Sequence, residues 1–167
     1  MNKSPHIITD LKKPEQIPIR DGYGKALVEL GKKNPNVVVL SGDLTESTRV
    51  HWFKEQYPKR FFEIGVAEQN MMGIAAGLAL SGKIPFVSSY AVFCPGRNWD
   101  QLRVSVCYNE ANVKIAGAHA GISVGPDGAT HQALEDIAIT RVLPNLTVIV
   151  PCDAIEAHKA TIEATNI

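Results

Sequence analysis

Short apolar runs rich in β-branched residues, each neighboured by a segment with helical spacing, constrain this chain more than any other feature. The runs are "NVVVLSGD", "RFFEIGV", "KIPFVSSY", "NVKIAGAH" and "LTVIVPCD". A run without polar alternation is the pattern of a strand buried on both faces. Around them stand "RDGYGKALVELGKKN", "AEQNMMGIAAGLALSG", "NWDQLRVSVCYNEA", "ALEDIAITRVL" and "AIEAHKATIEATN", which read as helices. Strands alternating with helices are joined by crossovers that make the strands parallel and cover the sheet on both sides. The expected fold class is α/β, a mostly parallel sheet with helices on both faces.

The length of 167 residues suits one domain with a sizeable core, and 45% hydrophobic with 20% charged residues is ordinary globular composition. Residues 1–17 are polar with two prolines and read as an N-terminal arm, leaving 18–167 as the domain. The 17 basic residues balance the 17 acidic ones, so no nucleic-acid partner is expected. Cys94, Cys107 and Cys152 are widely spaced without a CxxC, which suggests neither a disulfide framework nor a zinc site. No apolar run approaches the roughly 20 residues that span a bilayer. The first residues also lack the apolar core of a secretion signal. No membrane association is expected, and the expected setting is the cytoplasm.

In a parallel sheet of this kind the ligand side is the carboxyl end of the strands. The segments there are "GDLTES", "GVAEQ", "SYAVFCPGRN", "AHAGISVGPDGATHQ" and "PCDAIE", and nearly all the unusual residues lie in them. Residues 119–132 form a long Gly-rich connection, with His119, Asp127 and His131 able to meet a polar substrate. The same residues also read as a surface turn built on Pro-Asp-Gly. Tyr90 and Phe93 serve equally as edge packing or as an apolar wall for a flat ring. Cys94 has nothing nearby in sequence to activate it and reads as a packed thiol. Phosphate-loop, dinucleotide and nucleophile-elbow patterns are absent. Glu68 stands at a helix start among Gly65, Val66 and Ala67, an unusual place for a carboxylate.

Three ordered stretches carry a resemblance: "SGDLTES", "FFEIGVAEQNMMGIAAGLALSGKIPFVSSYAVF" and "AHAGISVGPDGATHQALEDIAITRVLPNLTVIVPCDAIEA". From about Ile19 onward the chain resembles the pyrimidine-binding domain of transketolase, in particular the C-terminal section of split, two-subunit transketolases. The 1-deoxy-xylulose-5-phosphate synthases share "AEQ" and "GxxGxDGxTHQ" and form a neighbouring alternative, as does a non-catalytic interaction module. The resemblance implies the thiamin-diphosphate-binding fold and transfer of a two-carbon ketol unit between phosphosugars. It implies that Glu68 faces N1′ of the aminopyrimidine of thiamine diphosphate. A helix start stabilises the anion, and desolvation favours sharing a proton with a weakly basic ring nitrogen. Tyr90 and Phe93 match residues holding that ring, and Asp43 one near the cofactor at the subunit interface. Arg20, Ser47 and His119 match sugar-phosphate contacts, Asp127 a sugar-hydroxyl contact, and His131 a catalytic histidine near the substrate carbonyl.

Two positions depart from the pattern. Gly96 stands where many transketolases carry a further aromatic wall, with Trp99 the nearest large ring, and Val150 replaces an arginine before "PCD". A "GDG…N" motif for the diphosphate and Mg2+ is missing, so the resemblance implies that a separate N-terminal transketolase section supplies it. The cofactor would be shared with that partner in a homo- or hetero-oligomer, and the family's third, C-terminal domain is absent. This chain is expected to be silent alone.

Overall fold

The computed structural model describes residues 15–167. The expected arm, residues 1–17, therefore lies largely outside the described residues. Four strands form one parallel sheet in the order β2-β1-β3-β4. They are β1 (Val37–Ser41), β2 (Phe61–Glu63), β3 (Ile84–Tyr90) and β4 (Lys114–Ala118). The α/β class with a parallel sheet is what the alternating runs specify.

Each central strand feeds two cores because successive side chains point to opposite faces. Val38 and Leu40 of β1 and Val87 of β3 pack with Met71, Met72 and Ala75 of α3 (Glu68–Leu80). Leu102 and Val106 join them from the stretch after α4 (Trp99–Gln101), whose residues Leu102–Tyr108 widen into a π-helix. Val37, Val39 and Phe86 face the other way, onto Leu27 and Leu30 of α1 (Ile19–Lys33) and Phe53 of α2 (His51–Gln56). Helices thus cover both faces.

Arg60 ties the end of α1 to the sheet. Its guanidinium donates to the carbonyls of Gly31 at 2.6 Å, Asn34 at 2.9 Å and Val37 at 3.3 Å, and lies 4.3 Å from the Tyr57 ring centroid. The carbonyls left over at a helix end are thereby satisfied by one rigid, charged fork.

The sequence reading differs from the structure in the last third of the chain. "LTVIVPCD" makes no ladder bonds, and β4 is the sheet edge among the described residues. Leu146 packs on the α3 side while Ile162 of α6 (Ala154–Glu163) packs on the α1 side. The residues between them therefore cross from one layer to the other, with Val148, Ile149 and Val150 left 38%, 48% and 65% exposed. The helix read from "ALEDIAITRVL" is a shorter α5 (Asp136–Arg141).

α6 is held on α1 by close backbone approach. A Cβ on Gly22 would overlap the Ala154 carbonyl oxygen. Gly22→Ala gains about 1 kcal/mol of helix propensity yet meets an overpacking cost of about 1–3 kcal/mol against backbone that cannot rotate away. Thermal unfolding should therefore show a lower melting temperature for Gly22→Ala, and a rise would contradict the α1–α6 contact.

Candidate active site

Glu68 is the first residue of α3, and its side chain is 1% exposed. The preceding residues Gly65 and Ala67 leave the sheet in a tight turn, with Ala67 donating its N–H to the Gly65 carbonyl at 2.7 Å. Oε2 of Glu68 accepts from Nη1 of Arg97 at 2.7 Å, while Oε1 is buried without a hydrogen-bond partner. Asn98, fully buried, donates its side-chain amide to the Glu68 carbonyl at 3.1 Å and to Cys94 Sγ at 3.3 Å. Burial pushes the Cys94 thiol up to about 12. A thiol so rarely ionised is packing, as expected from its sequence context.

A second group assembles beyond the ends of β3 and β4. Tyr90 is the last residue of β3 and pairs in register with Ala118, which places His119 one step past it. The Tyr90 and His119 rings lie 4.2 Å apart. His131 stands edge-on to Phe93 at 5.3 Å and to Tyr90 at 6.1 Å. The loop carrying both histidines closes at its neck, where Gly121 donates to the Ala133 carbonyl at 2.8 Å and Ala120 bridges Ala133.

Arg20, in the first turn of α1, joins this group. Its Nη1 lies 3.2 Å from His119 Nε2 and 3.2 Å from the Ser47 carbonyl. A guanidinium can only donate, so Nε2 accepts and the neutral imidazole carries its proton on Nδ1. Desolvation first, then the Arg20 charge, holds the His119 pKa below its usual range, and Asp127 pulls the other way. Asp127 is thus within electrostatic reach. The Arg49–Asp21 ion pair at 2.7 Å braces the start of α1 against the segment after β1.

Contacts therefore run continuously from Ser47 through Arg20, His119, Tyr90, Phe93 and His131. Arg97 then connects Phe93, at 4.6 Å from its ring centroid, to Glu68. Asp43 and Asp127 are the exceptions, both with exposed side chains: Asp43, just past the end of β1, engages only its backbone N–H, with Glu63 Oε1 at 2.8 Å, and Asp127 only its carbonyl, with Thr130 Oγ1 at 3.5 Å.

Glu63, Arg97 and Asn98 were not singled out by the sequence. Glu63 accepts from Asp43 N–H, from Gly65 N–H at 3.1 Å and from Thr45 Oγ1 at 2.6 Å, so one carboxylate shapes the loops after β1 and β2. Burial alone would raise its pKa, but the hydrogen bonds from Thr45, Asp43 and Gly65 outweigh burial and lower it. The signal for Glu63 was its place at a strand end, two residues before a glycine. Position 96 has no room for the aromatic residue that the resemblance implies, because a Cβ there would overlap the Val92 carbonyl oxygen. Trp99 does not replace it, since its indole N–H is turned to the Ile139 carbonyl at 2.7 Å. Among the described residues no three His, Cys, Asp or Glu side chains are grouped to hold a metal ion, and no helix is long and apolar enough to cross a membrane.

The fold agrees with the comparisons to known proteins. The family described as transketolase, pyrimidine binding domain, matches residues 15–167. A putative transketolase C-terminal section from Methanocaldococcus jannaschii is 56% identical over 135 residues, covering 81% of this chain and 43% of that protein. A 6-deoxy-6-sulfo-D-fructose transketolase subunit from Clostridium sp. (strain MSTE9) is 42% identical over 142 residues, covering 85% and 44%. A solved structure, a split gene transketolase as an inactive beta4 tetramer, superposes with a TM-score of 0.79 at 52% identity, covering 89% of this chain and 48% of that one. This chain belongs to the transketolase pyrimidine-binding domain family, and that membership implies thiamine diphosphate as cofactor. It spans under half the length of each of these relatives.

The depressed pKa of His119 has a sign that can be measured. In the unfolded chain the imidazole titrates near 6.5, whereas the native state resists protonation. As pH falls below about 6.5 the unfolded state binds the proton more readily, so this residue's contribution to stability is lost. Denaturant unfolding between pH 7.5 and 5 should show a stability decline that is shallower in His119→Gln, and an unchanged slope would refute the His119 assignment.

Proposed function

We propose that this chain is the pyrimidine-side half of a transketolase, transferring a two-carbon ketol unit between phosphosugars once a diphosphate-binding N-terminal section completes the site. The observation that carries this reading is the pair formed by the buried, unpartnered Oε1 of Glu68 and the aromatic group of Tyr90 and Phe93. Buried polar atoms are rarely left unpaired, and a carboxylate oxygen with spare acceptor capacity, linked through Arg97 to the Phe93 ring, suits a flat heterocycle with a protonatable nitrogen. The residues present therefore fit the aminopyrimidine of thiamine diphosphate. Bound there, the cofactor would supply the carbanion-stabilising chemistry that no side chain can provide.

The residues of this chain do the rest. Glu68 holds or shares a proton at the ring nitrogen. Tyr90 and Phe93 exclude water from the ring faces. His131, edge-on to both rings, is placed to exchange a proton with a substrate oxygen. Arg20 and His119 meet the anionic end of the sugar with the Ser47 segment beside them, and Asp127 reads a hydroxyl. Asp43, exposed at the end of β1, is assigned to the surface that meets the partner. Mg2+ and the diphosphate belong to that partner.

Several features support a divided site. The similar split-gene section forms a tetramer described as inactive. Gly73 and Gly77 on α3 face open space, leaving a smooth surface for another chain. The domain assignment of residues 18–167 and a cytoplasmic setting belong to the same reading. The relative named for 6-deoxy-6-sulfo-D-fructose gives the substrate question a second arm, since Val150 leaves the anion with Arg20 and His119 as its side-chain contacts.

Ketol transfer measured with thiamine diphosphate, Mg2+ and an N-terminal transketolase section tests this directly, with sugar phosphates and a sulfonated sugar as parallel substrates. The expected result is activity from the assembled pair, silence from either half, and a loss of at least about a hundredfold in Glu68→Gln. Undiminished turnover by Glu68→Gln would remove Glu68 from the mechanism.

A further inference from the structure

Arg97 is the single side chain among the described residues that bonds to the Glu68 carboxylate. Its Nη1 donates to Oε2 at 2.7 Å, and its guanidinium carbon lies 4.6 Å from the Phe93 ring centroid. The next residue, Asn98, donates to the Glu68 carbonyl at 3.1 Å. One short segment after β3 thus grips Glu68 twice, at the carboxylate and at the backbone.

The energetics of burial give the contact a purpose. A lone ionised carboxylate removed from water is strongly unfavourable, and a paired cation with good geometry offsets much of that cost. Arginine suits the task because it stays charged at any relevant pH and stacks on aromatic faces while it donates. The side chain of Arg97 is 45% exposed and that of Glu68 1%, so the pair spans the boundary between core and site. The two carboxylate oxygens become inequivalent: Oε2 is occupied, and Oε1 is buried without a partner.

We propose that Arg97 is a positioning residue, which fixes the Glu68 carboxylate in one orientation so that Oε1 is the oxygen offered to the ring nitrogen of the aminopyrimidine. This rests on the reading of Glu68 given under the proposed function. Arg97 acts through Glu68 and Phe93 and takes no proton itself.

Two measurements test it. The first uses the full chain without cofactor, comparing thermal unfolding of wild type, Arg97→Met, Glu68→Gln and the double variant. Arg97→Met should lower the melting temperature by at least about 3 °C. The drop should largely vanish in the Glu68→Gln background, where a neutral amide needs no cation. Equal drops in both backgrounds overturn the proposal and leave Arg97 as packing on Phe93.

The second uses the chain assembled with an N-terminal section. It compares equilibrium binding of thiamine diphosphate with that of an analogue in which N1′ is replaced by C–H. Wild type should prefer the natural ring. Arg97→Met should cut that preference by about tenfold or more, while Arg97→Lys, which keeps the charge, should lose less than about threefold. A preference unchanged in Arg97→Met overturns the Arg97 proposal alone. A wild type indifferent to N1′ overturns the reading of Glu68, and this proposal with it.

Discussion

Parallel pairing is the constraint from which the rest of this molecule follows. Each parallel strand must be reached by a crossover, so all four carboxyl ends open on the same edge. Residues far apart in the chain are thereby gathered: Ser47 after β1, Glu68 after β2, Phe93 and Arg97 after β3, His119 after β4. Register then decides who touches whom. Because Tyr90 pairs with Ala118, His119 emerges beside the Tyr90 ring, and the 4.2 Å contact is a consequence of strand alignment.

The arginines divide between fold and site in a way that follows from their partners. Arg60 meets only backbone carbonyls and aromatic faces, and its contacts close the end of α1. Arg20 meets an imidazole and Arg97 a carboxylate, both titratable groups at the sheet edge. Glu63 is the acidic counterpart of Arg60. It collects two backbone N–H groups and a hydroxyl from adjacent loops and is a structural anion. Glu68 differs from Glu63 in keeping one oxygen without a partner. That difference leaves Glu68, unlike Glu63, with acceptor capacity to spare.

Much of this was legible in the sequence, because periodicity and strand ends are local signals. The buried runs "NVVVLSGD" and "KIPFVSSY" became β1 and β3 with nearly the expected bounds. Of the residues clustered after strands, Tyr90, Phe93, His119 and His131 are neighbours, whereas the exposed side chains of Asp43 and Asp127 stand outside the contact network. What escaped depends on tertiary geometry. The Arg97–Glu68 pair spans 29 residues and leaves no local pattern. "LTVIV" has strand composition, but a strand also needs a partner in register and cover for its faces. Here the chain needs those residues to pass between layers. The crowding of position 96 by the Val92 carbonyl is likewise something no spacing rule reveals.

Stability at the ligand edge is lower than the packing beneath it would permit. Among the described residues six buried side-chain atoms lack partners: His51 Nδ1, Glu68 Oε1, Ser89 Oγ, Asn98 Oδ1, Gln101 Oε1 and His119 Nδ1, of which those of Glu68, Ser89 and His119 lie within five residues of a strand end. Each such atom costs about 1–3 kcal/mol in a low-dielectric setting. Asp43 and His119 add backbone in the left-handed region, at φ of 63° and 55°, where side chains with a Cβ are strained. The two apolar cores under β1 and β3 offset these costs and hold the edge in place. A sequence selected for folding alone would replace Glu68 with an apolar residue and relax the His119 turn. Over a well-packed sheet, both are local costs that the two cores beneath can offset.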